Sequence, residues 1–226
     1  MPCRFDAVIV TNSDCEFQWV KDMFTLSVMD HYQTIANNFQ ETIAVIAQSV
    51  DQLAEPIQQA SEAMTHALLN DRKILCCGDG SNAALCQLFV CNLLNHFEQD
   101  RPALPAFSLA NDAATLTAIT SSYSFNETYS KQIHALGQSG DVLLTLSNQK
   151  HNGSIIQAIR AAHERKLVVV CLNSSAGTDI SSLMLPEDIE LVVNAQRPVR
   201  ITEIHTMLLH HFCELIDFAL FGTHSP

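Results

Sequence analysis

Beyond residue 70 the chain alternates between two hydrophobic rhythms. Short stretches dominated by apolar residues fall at Lys73–Cys77, Ala106–Leu109, Val142–Leu146, Leu167–Leu172 and Ile189–Val193. Near-continuous apolar runs of this length are what strands covered on both faces require. Between them, apolar residues recur three and four apart. That spacing predicts helices over Asn82–Phe97, Asp112–Thr120, Phe125–Leu136, Ser154–Arg165 and Val199–Phe221. Strands and helices in alternation predict the α/β class, with a five-stranded parallel sheet inside a three-layer α/β/α sandwich.

Upstream, Ile35, Phe39, Ile43 and Ile46, then Leu53, Ile57, Ala60, Met64 and Leu68, mark amphipathic helical stretches within Val28–Leu69. Pro56 lies between the two sets and predicts two helices, or a break with Pro near a helix start. Helices placed ahead of an α/β core commonly pack on another subunit, so a homo-oligomer is expected. Residues 1–26 read as an N-terminal extension without a settled place. Val8-Ile9-Val10 predicts a short strand there, and Phe17 to Leu26 a helix. Residues 27–222 read as one domain with its N-terminal oligomerisation helices, and 223–226 as a tail.

Of the 226 residues, 47% are hydrophobic, enough for one α/β core. No apolar run reaches the roughly 18 residues of a membrane span. The first ten residues do not read as a signal peptide, so a cytoplasmic protein is expected. There are 24 acidic and 12 basic residues, a net charge of -12. Such a surface repels a nucleic-acid backbone and directs attention to protein or small-molecule partners. The eight cysteines sit mostly in apolar runs without zinc-knuckle spacing and read as buried thiols of a reducing compartment.

Candidate chemistry gathers at two turns. Gly78-Asp79-Gly80-Ser81-Asn82 follows the first apolar strand of the core, and Ser147 to Ser154 follows the third. Open α/β sheets bind ligands at the carboxyl ends of their strands, where backbone N–H groups at a helix start attract anions. The candidate ligand-binding residues are Gly80, Ser81, Asn82, Ser147, Asn148, Asn152 and Ser154. The same turns also read as tight chain reversals, with Gly78 and Gly80 present for backbone shape. His205, His210 and His211 lie close in sequence, but a metal set needs a further partner. On the last helix, Leu220 and Phe221 extend past the apolar stripe just before Gly222. They are either packed within the protein or presented to a partner.

Several segments resemble a known family. They are Lys73-Ile74-Leu75-Cys76-Cys77-Gly78, Arg101-Pro102-Ala103-Leu104-Pro105-Ala106, Lys131 to Gly137, Gly140 to Leu144, and Glu214-Leu215-Ile216-Asp217 with Leu220-Phe221. Together they are similar to the sugar isomerase (SIS) domain family, from about Val28 to Phe221. One branch of that family comprises the sedoheptulose-7-phosphate (phosphoheptose) isomerases. Another is non-enzymatic and binds the bacterial replication initiator DnaA. Cys76-Cys77 before the turn, and Asp217 followed by Leu220-Phe221, resemble the second branch. That resemblance implies the SIS fold, a homotetramer, and a DnaA-like initiator contacted through Leu220 and Phe221. The expected role is promotion of chromosome replication initiation by multivalent tethering.

The resemblance also implies where an isomerase would carry its chemistry. The family has a His and a Glu four apart on the helix after the first turn, and a Gln and a His eight apart on the last helix. Together they can hold zinc. Here the four positions are Leu88, Asn92, Thr202 and His210. Proton transfer between carbons needs titratable groups, and zinc needs three or four ligands. The expectation is therefore a non-catalytic protein with no cofactor. A zinc-dependent sugar-phosphate isomerase, or a phosphosugar sensor, is the alternative. The second turn has lost most of the family's hydroxyls. Asp79 stands where the family commonly has Asn, and a carboxylate repels phosphate. Asn82 stands where the family has Ser.

Overall fold

The computed structural model describes residues 4–10, 17–25 and 31–222. Two compact units divide the chain, residues 1–43 and 44–226. In the first, β1 (Arg4–Val10) pairs antiparallel with β2 (Phe17–Thr25). The strand expected at Val8-Ile9-Val10 is present, and the helix expected from Phe17 is instead a strand. That segment is rich in aromatic and β-branched residues, which favour an extended backbone once a pairing partner exists. The tail from 223 lies outside the described residues.

Helix α1 (His31–Leu69) is continuous and contains Pro56 in its interior, where a break was expected. Proline removes one backbone hydrogen bond and crowds the preceding turn, at a cost of about 3 kcal/mol. The buried stripe explains why the helix persists. Leu53, Ala60, Met64 and Ala67 keep helical phase on both sides of the proline. Breaking the helix there would take that stripe off the core.

The remaining elements are β3 (Ile74–Gly78), α2 (Ser81–Leu94), β4 (Ala106–Ser108), α3 (Ala113–Ser122), α4 (Thr128–Leu136), β5 (Val142–Leu146), α5 (Gly153–Glu164), β6 (Val168–Ser174), α6 (Thr178–Ser181), β7 (Ile189–Val193) and α7 (Pro198–Phe221). The five core strands form one parallel sheet in the order β4-β3-β5-β6-β7. The expected sheet is therefore present, with β5 and β7 at the expected bounds. The short helix α6 was not anticipated.

Successive side chains of a strand point to opposite faces. Ile74, Cys76, Val142, Leu144, Leu146, Val170 and Leu172 pack with residues of α1, α2 and α7 in one core. Leu75, Cys77, Leu143, Val169 and Cys171 pack with residues of α4 and α5 in the other. Both faces are thus covered, which explains strands without polar alternation. Among the described residues, no helix is long and apolar enough to cross a membrane.

Arg101 fastens α2 to α7. Its guanidinium donates to Leu93 O at 2.8 Å and Asn92 O at 2.9 Å, satisfying carbonyls at the end of α2. It also donates to Asp217 Oδ1 on α7 at 2.7 Å.

Candidate functional site

The two edges of the sheet differ in how their polar groups are satisfied. At the amino edge, the buried Asp141 carboxylate accepts from Lys73 N at 3.0 Å, Lys73 Nζ at 2.6 Å and Gln138 N at 2.8 Å. The Asp188 carboxylate accepts from Val169 N and Leu185 N, each at 2.9 Å, and pairs with His163 Nε2 at 2.7 Å. At the carboxyl edge, buried polar atoms lack partners within the protein. They include Asp79 Oδ1, Asn82 Oδ1, Asn152 Nδ2 and Ser174 Oγ. Buried polar atoms are normally satisfied, so a concentration of unpaired ones marks where another molecule supplies the missing bonds.

The first turn is built on close packing. A Cβ on Gly78 would lie 2.7 Å from Asn82 Cβ and 3.0 Å from its backbone carbon. Gly78 O accepts a hydrogen bond from Tyr129 Oη at 2.8 Å. Gly80, with φ of 59°, precedes α2 in a conformation that favours glycine. Ser81 opens α2 and is exposed, whereas Asn82 is buried, its N–H donating to Asp79 O at 3.1 Å.

The second turn leads into α5. Ser147 is buried, and its Oγ accepts from Gln149 N at 3.5 Å. Asn148 Nδ2 donates to Thr202 Oγ1 on α7 at 3.2 Å. Asn152 caps α5, its Oδ1 accepting from Ile155 N at 3.3 Å. A Cβ on Gly153 would meet Asn126 Oδ1 at 2.7 Å, so Asn126 closes over the first turn of this helix. Lys150 and His151 are exposed, and His151 Nδ1 lies 2.8 Å from Asp179 Oδ2 on α6.

Ser154 joins the two turns. Its Oγ lies 2.6 Å from Asp79 Oδ2 and 2.8 Å from Asn152 Oδ1. Burial is the main force pushing the Tyr129 phenol well above its ordinary pKa, and the negative charge of Asp79 adds to it. Tyr129 Oη donates to Gly78 O at 2.8 Å, and Asp79 Oδ1 is buried without a hydrogen-bond partner in the protein. Sequence reasoning marked both turns and the odd carboxylate at 79. It missed Tyr129, the Asp79–Ser154 bridge and the His151–Asp179 pair, whose members lie 75 and 28 residues apart in the two bridging pairs.

Leu88 and Asn92 lie on α2, Thr202 and His210 on α7. Thr202 bonds to Asn148, and the Asn92 side chain lies beside the Cys213 thiol. The exposed His210 ring rests against Phe97, centroids 5.7 Å apart. His205 is fully buried, its Nε2 3.4 Å from Asn173 O, and burial lowers its pKa to about 4. His211 points to Glu214 at 3.9 Å. Among the described residues no three His, Cys, Asp or Glu side chains come together as a metal set. The leucine, amide and hydroxyl side chains at 88, 92 and 202 do not suit the zinc ion that the family resemblance implies.

At the end of α7, Leu220 packs partly against the core, while Phe221 is 37% exposed with the Arg101 guanidinium 5.9 Å from its ring centre. Asp217, part of the initiator-type signature, is occupied by Arg101.

The SIS domain model matches residues 38–174. A phosphoheptose isomerase of Pseudoalteromonas atlantica is 41% identical over 189 residues, covering 84% of this chain and 96% of the relative. One of Coxiella burnetii is 43% identical over 189 residues, covering 84% and 95%. Among solved structures, a phosphoheptose isomerase from Francisella tularensis superposes with a TM-score of 0.81 at 35% identity, covering 84% of this chain and 99% of that one. That of Neisseria gonorrhoeae gives 0.78 at 37% identity, covering 83% and 98%. These likenesses overturn the expectation of a non-catalytic DnaA-binding protein that promotes replication initiation. Proteins this similar over nearly their whole length are named for an isomerase. Leu220 and Phe221 accordingly lose their assignment as initiator contacts. Sheet order, helical layers and near-complete alignment agree, and the chain belongs to the SIS domain family.

Proposed function

We propose that the chain is a sugar-phosphate isomerase of the phosphoheptose type, interconverting the aldose and ketose forms of a phosphorylated heptose. The observation that carries the reading is the 41–43% identity, over 84% of the chain, to proteins named phosphoheptose isomerase. The two turns at the carboxyl edge support it, because their buried unpaired polar atoms suit the hydroxyl groups of a sugar. Gly80, Ser81, Asn82, Ser147, Asn148, Asn152 and Ser154 are the proposed ligand contacts.

Isomerisation removes a proton from the carbon beside a carbonyl and returns one to the adjoining carbon. Leu88, Asn92 and Thr202 carry no group suited to that step at neutral pH. The proposed carrier is His151. Asp179 at 2.8 Å from its Nδ1 orients the ring and leaves Nε2 for substrate. The buried thiols Cys76, Cys77, Cys171 and Cys213 support work in a reducing cytoplasm. Exposed Val50 and Leu69 on α1 support assembly with further copies of the chain.

The test is aldose formation from sedoheptulose 7-phosphate, followed by NMR with wild type and His151→Gln. Turnover by wild type, lowered about a hundredfold or more in the variant, is expected for a lost proton carrier. No turnover by wild type refutes isomerase activity, and binding without turnover would leave recognition of the phosphosugar alone. Equal turnover by both proteins would remove His151 from the mechanism.

A further inference from the structure

The head of α5 combines a helix N-terminus with a negative charge held against it. Asp79 reaches it from the neighbouring turn, its Oδ2 2.6 Å from Ser154 Oγ. Ser154 is 1% exposed and belongs to the first turn of α5. Asp79 is also immediately N-terminal to Gly80, the residue that precedes α2, a helix with no acidic residue of its own in its first turn. One carboxylate therefore stands beside the positive ends of two helix dipoles. The same cluster holds unpaired atoms of opposite kinds. Asp79 Oδ1 and Asn82 Oδ1 are acceptors, and Asn152 Nδ2 is a donor. Asn82 and Asn152 are 1% and 4% exposed, so water has little access to their side chains. Two acceptors suit hydroxyl donors, and a phosphate dianion has none to offer a carboxylate.

We propose that Asp79 is the ligand-selecting residue of this site. Its carboxylate, fastened to the head of α5 through Ser154, offsets the attraction of the two helix ends for anions. The pocket then takes a polyhydroxy ligand through its hydroxyl groups and holds a phosphate weakly. This rests on the sugar-phosphate reading only for the class of ligand. Removing the negative charge while keeping the shape has a defined consequence. In Asp79→Asn the amide oxygen still accepts from Ser154 Oγ, and a bound phosphate no longer faces a like charge. At a separation of a few ångströms in a partly buried site, removing that repulsion exceeds the threshold for a tenfold change in affinity.

The experiment is calorimetric titration at fixed ionic strength of wild type, Asp79→Asn and Asp79→Ser. The probes are inorganic phosphate, sedoheptulose 7-phosphate and unphosphorylated sedoheptulose. Thermal melting checks that each variant is folded, and the serine variant carries the test if the asparagine variant is not. The expected result is phosphate binding at least about tenfold tighter without the carboxylate, with no comparable gain for the neutral sugar. A gain in the variants supports the inference even if wild type binds no phosphosugar, an outcome that would defeat the isomerase reading alone. Equal or weaker phosphate binding by the variants overturns the inference, as does a gain of the same size for sedoheptulose. So does the absence of phosphate binding by all three proteins. Wild-type turnover is unaffected by any of these results, so the two readings fail separately.

Discussion

Replacing Arg101 with methionine removes a charge that four acceptors share. The guanidinium donates to Asp217 Oδ1 at 2.7 Å, Leu93 O at 2.8 Å, Asn92 O at 2.9 Å and Pro102 O at 3.1 Å. Its side chain is 3% exposed and that of Asp217 is 19% exposed. Removing one member of a buried ion pair costs about 3–5 kcal/mol, because the other charge stays buried without its partner. The partial exposure of Asp217 pulls the estimate toward the lower end of that range. Asn92 O, left without this donor, adds about 1 kcal/mol where water does not reach it, whereas Leu93 O keeps its bond from Leu104 N at 3.0 Å. A total of about 4 kcal/mol follows. For a chain of this size each kcal/mol shifts Tm by about 2–4 °C, so the expected fall is about 8–16 °C. Urea unfolding followed by circular dichroism measures the loss directly, with protein concentration held fixed because self-association would add to apparent stability. Arg101→Lys keeps the charge without the planar fork and should recover only part of the loss. A double-mutant cycle with Asp217→Asn should give a coupling of about 1–3 kcal/mol. A loss below about 1 kcal/mol for the methionine variant, the range of exposed pairs, would refute the assignment of Arg101 as the tie between α2 and α7.

His205 makes stability pH-dependent. Burial lowers its folded pKa from 6.5 to about 4, against the weaker opposing effect of Asn173 O. Between those values the unfolded chain binds a proton that the folded chain refuses, so stability is full above 6.5 and declines as pH falls toward 4. The expected loss across the window is about 3 kcal/mol. Urea midpoints measured across it should fall more steeply for wild type than for His205→Leu, and parallel curves would exclude His205 as the cause. Gly78→Ala should destabilise by about 1–3 kcal/mol through overpacking against Asn82. Gly80→Ala, with open space around its Cβ but φ of 59°, should cost about 1 kcal/mol from backbone strain. Thermal melts of the two variants test that order, and a harmless Gly78→Ala would contradict the close approach.

Local physics made much of the fold readable. A strand buried on both faces is largely apolar, and β5 carries that mark, buried throughout with Thr145 its one polar side chain, while the edge strand β7 is half-buried and admits Glu190. The helix at 153–164 was legible from its periodicity, and Asn152 caps it as Asx residues do. Both turns could be placed at the carboxyl edge because chain order and strand direction determine which ends face a ligand. Leu88, Asn92 and Thr202 were also visible as changes of chemistry, since a residue's functional groups need no fold to be known. The loss of activity that they imply is overturned by the likeness to proteins named phosphoheptose isomerase. Those side chains describe three positions, whereas the likeness to isomerases extends over 189 residues.

Other features depend on pairings that span the chain. Whether Phe17–Thr25 is strand or helix turns on β1 being available to pair with it. Whether Pro56 ends a helix turns on the buried stripe that continues through it, a tertiary gain set against a local cost. Asp217 and Arg101 are 116 residues apart, and Asp79 and Ser154 are 75 apart. Composition, helical periodicity and the chemistry of each turn were therefore determined by the sequence alone. Which charge satisfies which partner, and which buried atoms remain for a ligand, were decided only when the parallel sheet brought distant segments to one edge. Hydrogen bonds and ion pairs act over a few ångströms of space, whatever the distance along the chain.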